Sequence, residues 1–268
     1  MNQKIGIIGC GWLGLPLAKL LIENGYEIHG STTTEAKIAI LEQAKITAFL
    51  LQFSSEGIVG NIKACLSNCQ TLIVNIPPGL RKNPEHNYVQ QMKHLVTHVE
   101  TSSVKQVLFI SSTSVYDDDE SFPIITEISP TSTSKTALQL LEVEALFQQN
   151  KNFETTLLRF SGLFAEDRHP ARFLSGKTNL KNANTPVNLI HRDDCIAIIF
   201  GIIKQDHWSD IFNASTTAHP TKKEYYTSAC RALQIPVPKY DEHSVNKGKI
   251  IDSKKLVRIL DYDFKIKL

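Results

Sequence analysis

The chain has 268 residues, 42% hydrophobic and 21% charged, with a formal net charge of +2. This is ordinary globular composition, ample for a full core, and the length suits one α/β domain with a small lobe. The balanced charge gives no global argument for nucleic acid or a membrane surface as partner, and no apolar run approaches the ~20 residues of a membrane helix.

The first element is an apolar run over 4–8 that ends in Gly9-x-Gly11-x-x-Gly14, with an amphipathic segment over 15–24 directly behind it. That order predicts strand, glycine turn and helix. Gly9 permits the tight turn, Gly11 lets the backbone approach a pyrophosphate, and Gly14 allows close helix–strand packing. The new helix turns its N-terminal amides and positive dipole end toward the phosphates. The apolar stretch before Cys10 is too short for an export signal, so the expected location is the cytoplasm.

Strand and helix patterns then alternate, as a parallel sheet covered on both faces requires. Strands are expected at 26–30, 46–51, 71–76, 106–110 and 154–160, and helices at 35–44, 85–101 and 135–149. Pro77-Pro78-Gly79 stops the fourth strand, and Ser111-Ser112-Thr113-Ser114 follows the fifth. The run Asp117-Asp118-Asp119-Glu120 lacks calcium-loop spacing and reads as a solvated loop. Residues 165–185 read as a basic loop with Arg168, His169, Arg172 and Lys177. Short strands at 187–190 and 210–213 flank a helix starting near Asp193, which Asp193 or Asp194 is expected to cap. Thr221-Lys222-Lys223-Glu224 is a capping box opening another helix. The Lys-rich tail from 244 is expected to pack on the surface. The five cysteines form no CxxC, and Cys65 and Cys69, four apart in an expected helix, are a weak metal signal without partner histidines. All five are expected as buried apolar residues in a reducing compartment, and no metal site is expected.

Four segments in this order, GCGWLG at 9–14, SSTSVY at 111–116, LRFSGLF at 158–164 and VNLIHRDD at 187–194, resemble the extended short-chain dehydrogenase/reductases, the NAD-dependent epimerase/dehydratases. IFNAS at 211–215 and KGKIIDSKKL at 247–256 fit the same pattern, and GWLG, SSTSVY, RHPxRF and GKIID resemble most its atypical YeeZ-like branch. The resemblance covers essentially the whole chain. It implies a Rossmann-type doubly wound parallel sheet with a small interleaved C-terminal substrate lobe, divided as 1–164 plus 186–215 and 165–185 plus 216–268. It also implies a small-molecule substrate, with no nucleic acid or membrane partner.

The family's chemistry uses a Ser or Thr, a Tyr, and a Lys four residues after the Tyr. The serine position matches Ser112, with Thr113 as its neighbour and substitute. No tyrosine occurs between Tyr116 and Tyr225. The expected place reads Ser134-Lys135-Thr136-Ala137-Leu138, and four residues further on stand Leu or Gln. Ser112, Thr113 and Tyr116 are therefore the catalytic candidates. Cofactor-binding candidates are Gly9, Cys10, Gly11, Trp12, Leu13, Gly14, Ser31, Thr32, Thr33, Asn75, Ile76, Pro77 and Ser111. The acidic position that holds the ribose hydroxyls in NAD-preferring relatives is Thr32, with Lys37 as a helper for a 2′-phosphate. This favours NADP over NAD, although Glu35 could reach a ribose and Thr34 could simply cap the next helix. Arg168, His169, Arg172 and Lys177 are the substrate-binding candidates, suited to a phosphate or sugar nucleotide, or else a basic surface paired with Glu166 and Asp167. The resemblance further implies a homodimer through the helices at 85–101 and 135–149. Their Leu138, Leu141 and Leu146 would serve that bundle or the sheet face. Three functions follow: an NAD(P)-dependent oxidoreductase or epimerase with altered acid–base groups, a non-catalytic NAD(P) sensor, or a scaffold whose loop binds nothing.

Overall fold

A computed structural model of the chain describes residues 3–80, 83 and 85–268. Its centre is a seven-stranded parallel sheet: β1 Lys4–Ile8, β2 Glu27–Thr32, β3 Thr47–Leu50, β4 Thr71–Val74, β5 Gln106–Ser112, β6 Glu154–Phe160 and β7 Ile211–Ala214. The spatial order is β3-β2-β1-β4-β5-β6-β7. The order reverses between β1 and β4, whose register pairs Ile5 with Thr71 and Ile8 with Val74. In doubly wound sheets a ligand crevice forms beyond the carboxyl ends of the strands at this reversal. Strands in such a sheet are covered on both faces and read as unbroken apolar runs. Ile5, Ile7, Ile8, Leu72, Ile73, Val74, Val107, Leu108 and Phe109 are accordingly all buried.

The helices that cover the sheet start where local chemistry dictates. α1, Gly14–Glu23, buries Leu17, Ala18 and Leu21 on one stripe. The segment expected as one helix over 35–44 is a 3-10 turn, Glu35–Lys37, running into α2, Ile38–Gln43. α3, Ile62–Leu66, ends before Cys69, because Asn68 turns left-handed. α4, Tyr88–Glu100, and α5, Lys135–Gln148, are capped by the side chains of Asn87 and Ser134. Phe147 of α5 stacks on Phe109 of β5 with ring centroids 5.0 Å apart.

The chain forms two compact units. One comprises Met1–Ser111, Thr133–Leu158 and Ile199–Ile211, and the other Ser112–Ser132, Arg159–Ile198 and Phe212–Leu268. The second unit has its own core, in which Phe164, Ala171, Val187, Leu189, Tyr225, Tyr226 and Cys230 pack together. Strands at Gly162–Phe164 and Leu189–His191 pair in parallel apart from the central sheet, so the expected strand at 187–190 lies outside that sheet, in the second unit. The short helix α6 is Ala171–Leu174, α7 is Arg192–Lys204, and α8 is Lys222–Ala232. The Thr221–Glu224 capping box is present with both of its bonds.

The C-terminal segment corrects its expected surface role. Ile250–Ile251 pairs with Ile124–Ile125, and Leu256 and Leu260 of α9, Lys254–Leu260, are buried together with Phe264. The acidic run is solvated but paired. Lys249 meets Asp118 at 2.9 Å and Lys247 meets Glu120 at 3.5 Å. Asp194 is fully buried and accepts the hydroxyl of Tyr262 and the backbone N–H groups of Lys265 and Ile266. It anchors the end of the chain, which is a different task from the expected helix cap. All five cysteines are free and buried. Among the described residues, no helix is long and apolar enough to cross a membrane, and no cluster of potential ligands could hold a metal ion.

Candidate functional site

In the first unit, the residues around the glycine loop form a cradle. Gly9 has φ +106°, and a Cβ there or at Gly14 would run into backbone atoms, of Asn75 in the first case and of Gly9 in the second. The fold itself therefore demands glycine at both positions. Gly11 is different, because a Cβ there would meet nothing within 4 Å. The loop is pinned from both sides of the strand-order reversal. Ser31 Oγ accepts the Gly9 N–H at 3.0 Å, and the Ser31 carbonyl accepts the Cys10 N–H at 2.8 Å. From β4, the Asn75 side chain donates to the Gly9 carbonyl at 3.1 Å. No side chain caps the start of α1. Its dipole end is left to an anion. The open face at Gly11, the pinned loop and the uncapped helix fit a dinucleotide pyrophosphate. Gly9, Gly11 and Gly14 would frame it, with Cys10, Trp12 and Leu13 supplying intervening backbone. Burial pushes the Cys10 thiol up to about 12, so it stands in the loop as an uncharged group.

The remaining first-unit candidates border this cradle. Thr32 Oγ1 accepts the Thr34 N–H at 3.2 Å and so shapes the turn beyond β2. Thr34 makes no side-chain cap to the 3-10 turn. Thr33 and Lys37 are exposed, and Ser31 and Thr32 are buried. Ile76 and Pro77 leave the end of β4, where the buried Tyr88 donates its hydroxyl to the Ile76 carbonyl at 3.1 Å. Ser111, at the end of β5, donates to the buried Glu144 carboxylate of α5 at 2.5 Å. Glu144 has no local sequence signal, because its partner lies 33 residues away.

In the second unit, Ser112 opens a 3-10 turn over Thr113–Val115 and its Oγ accepts the Ser114 N–H at 3.1 Å. Thr113 is buried. Tyr116 is buried as well, and its hydroxyl is doubly engaged. It receives Arg159 Nη1 at 2.6 Å and donates to Asn213 Oδ1 at 3.0 Å. Burial pushes the Tyr116 pKa up against an opposing pull from Arg159. Lys249 donates to the Tyr116 carbonyl at 2.7 Å and ties down the exit of the turn. In the basic segment, Arg168, Arg172 and Lys177 are exposed and His169 is half-buried. Asp167 binds Arg192 at 2.9 Å, and Glu166 lies 3.4 Å from His191 Nε2.

Residues 9–206 match the family model described as NAD(P)H-binding. The chain belongs to the NAD(P)H-binding family. Protein YeeZ of Escherichia coli (strain K12) is 28% identical over 265 residues, covering 98% of this chain and 96% of that protein. Among solved structures, UDP-glucuronic acid 4-epimerase from Bacillus cereus, in complex with UDP-glucuronic acid and NAD, superposes with a TM-score of 0.79 at 16% identity. That match covers 99% of this chain and 95% of the other. UDP-N-acetylglucosamine 4-epimerase from the same organism gives 0.78 at 16% identity, covering 99% and 92%. The two solved structures share the fold of this NAD(P)H-binding chain, the fold that the resemblance of its motifs implies.

The NAD(P)H-binding domain spans the loop, the turn beyond β2 and the Ser111–Tyr116 segment. Two buried polar groups next to those motifs carried no signal in the sequence. Arg159 and Asn213 hold Tyr116 across separations of 43 and 97 residues. Only their places inside LRFSGLF and IFNAS marked those segments at all.

Proposed function

We propose that the chain binds NADP or NAD at the glycine loop. We further propose that it acts as an oxidoreductase or epimerase on a small anionic substrate, of the sugar-nucleotide kind, without the tyrosine–lysine pair of its relatives. The observation that carries the proposal is the contrast among the three glycines. Packing explains Gly9 and Gly14, while at Gly11 packing gives no reason for the missing side chain, and an approaching ligand does. When bound, the nicotinamide takes or returns a hydride. The chain's own residues supply position and protons. Ser112 Oγ accepts a backbone N–H, so its own proton remains available to a substrate oxygen, with Thr113 beside it. Tyr116 serves in this scheme by position, since its hydroxyl is held by Arg159 and Asn213.

NADP is favoured because Ser31-Thr32-Thr33-Thr34 carries no carboxylate to repel a 2′-phosphate, and the exposed Thr33 and Lys37 stand ready to bind one. The exposed cations Arg168, Arg172 and Lys177 support an anionic substrate, and the Bacillus cereus relative was solved with UDP-glucuronic acid and NAD. A second reading, a non-catalytic NAD(P) sensor, is favoured by one fact. No tyrosine stands between 116 and 225, and Tyr116 itself is engaged. Calorimetric titration with oxidised and reduced nucleotide, followed by turnover tests on UDP-sugars, separates the two. Turnover that falls in Ser112→Ala supports the enzyme. A redox-dependent affinity with no turnover supports the sensor.

A further inference from the structure

In the basic segment one histidine is fixed more tightly than a surface residue requires. His169 Nδ1 accepts the backbone N–H of Ala171 at 3.2 Å. A ring nitrogen that accepts a hydrogen bond carries no proton, so the neutral imidazole is held as its Nε2–H tautomer. The ring stacks on Tyr225, with centroids 6.2 Å apart and planes 14° from parallel, and meets Phe164 edge-on at 5.9 Å. Both aromatics belong to the apolar cluster of the second unit, so the core sets the ring's plane.

His191 is built in the same way and spent differently. Its Nδ1 accepts the Asp193 N–H at 3.2 Å, and its ring meets Phe164 edge-on at 5.1 Å. It is fully buried, and its Nε2 faces the Glu166 carboxylate. His169 is half-exposed, and among the described residues no hydrogen bond takes up its Nε2. Burial, and then the Arg172 guanidinium, push its pKa below 6.5 against a weaker pull from Glu166, so the ring is neutral at pH 7. Tyr225 and Phe164, which cover its faces, add no charge there. Arg172 donates its backbone N–H to the His169 carbonyl at 3.2 Å, so one turn carries both residues, and its side chain is an exposed cation with no ion pair among the described residues.

We propose that His169 Nε2–H and the Arg172 guanidinium form a two-point donor for one anionic group of the substrate, a carboxylate or a phosphate, with His169 setting its orientation. This rests on the reading of the basic segment as the substrate side. A neutral donor beside a cation grips an oxyanion without bringing two positive charges together. The guanidinium supplies the charge-assisted bond and the imidazole supplies direction.

The test uses the full chain labelled with 15N, in long-range 1H–15N correlation spectra at pH 7, with the His169 signals identified by their loss in His169→Gln. The expected spectrum has a protonated Nε2 and a bare Nδ1. Pyrophosphate and acetate are then added separately. At least one should move the Nε2 signal and leave the tautomer unchanged, with affinity falling about fivefold or more in Arg172→Gln. The stronger of the two identifies the group as phosphate or carboxylate. A protonated Nδ1, a mixture of tautomers, no response to either anion, or equal affinity in Arg172→Gln overturns the proposal. NADPH binding is measured on the same samples. If it persists without an anion response, the two-point donor alone fails. If both are absent, the underlying functional reading fails too.

Discussion

Substituting alanine separately at Gly11 and Gly14 divides what the fold requires from what the ligand requires. At Gly14 the added Cβ overlaps the Gly9 carbonyl oxygen, a backbone atom that cannot swing aside. Overpacking of this kind costs about 1–3 kcal/mol. For a chain of this size that lowers the midpoint of thermal unfolding by roughly 2–12 °C. At Gly11 the Cβ meets nothing within 4 Å, and the residue is not among those with positive φ. Alanine there reduces the freedom of the unfolded chain, worth about 0.4–1 kcal/mol in favour of the fold. The ligand-free protein should therefore melt at the wild-type temperature or slightly above it. With nucleotide at a hundredfold excess over its Kd, the wild type gains about 2.7 kcal/mol. A methyl group in the path of the pyrophosphate that weakens binding about a hundredfold reduces that gain to about 0.4 kcal/mol at the same concentration. Differential scanning fluorimetry of both variants, with and without NADPH, reads all four numbers. If Gly11→Ala keeps the full nucleotide shift, the pyrophosphate does not lie on this loop. If it melts as early as Gly14→Ala, the reasoning from Cβ geometry fails.

Other perturbations have equally definite outcomes. Tyr116→Phe removes an acceptor from the buried Arg159 and a donor from Asn213. It should cost about 1–3 kcal/mol in urea unfolding with nucleotide affinity unchanged; a neutral effect would mean the hydroxyl is not structural. Asp194→Asn weakens three bonds that hold Tyr262, Lys265 and Ile266. A loss of about 1.5–3 kcal/mol is expected, together with faster amide exchange at Lys265 and Ile266. Alkaline pH should destabilise the protein. Burial pushes Cys69 up to about 11, and Cys10 and Tyr240 up to about 12, from 9.0 for the thiols and 10.0 for the phenol. The folded state keeps these protons where the unfolded chain releases them. Stability that is complete below pH 9 therefore declines as pH rises toward 12. A denaturation midpoint that stays level from pH 8 to 11 would contradict that burial.

The sheet and its glycine loop were legible because their signals are local. An apolar run followed by GxGxxG at 9–14 needs no distant partner to be read, and the Thr221–Glu224 capping box spans only four residues. The boundaries at 35–44 and 71–76 moved where a 3-10 turn and a continuing backbone bond blur the period. The tail was misread for a different reason. Its lysines look like solvent-facing charge until Lys247 and Lys249 meet Glu120 and Asp118, and Ile250–Ile251 meets Ile124–Ile125, across more than a hundred residues. Asp194 carried the appearance of a helix cap, since an acid near a helix start usually is one. Only the closure of the chain end, 68–72 residues later, gives it another task. The Arg159–Tyr116–Asn213 network likewise depends on side chains from three separate segments, and no periodicity encodes such a meeting.

The central claim is that the glycine loop holds a nicotinamide dinucleotide. The most direct measurement compares thermal unfolding of the wild-type chain alone and with saturating NAD, NADH, NADP and NADPH. A rise of roughly 5–11 °C is expected with the phosphorylated nucleotides and a smaller one with NAD and NADH. An unchanged midpoint with all four would contradict it.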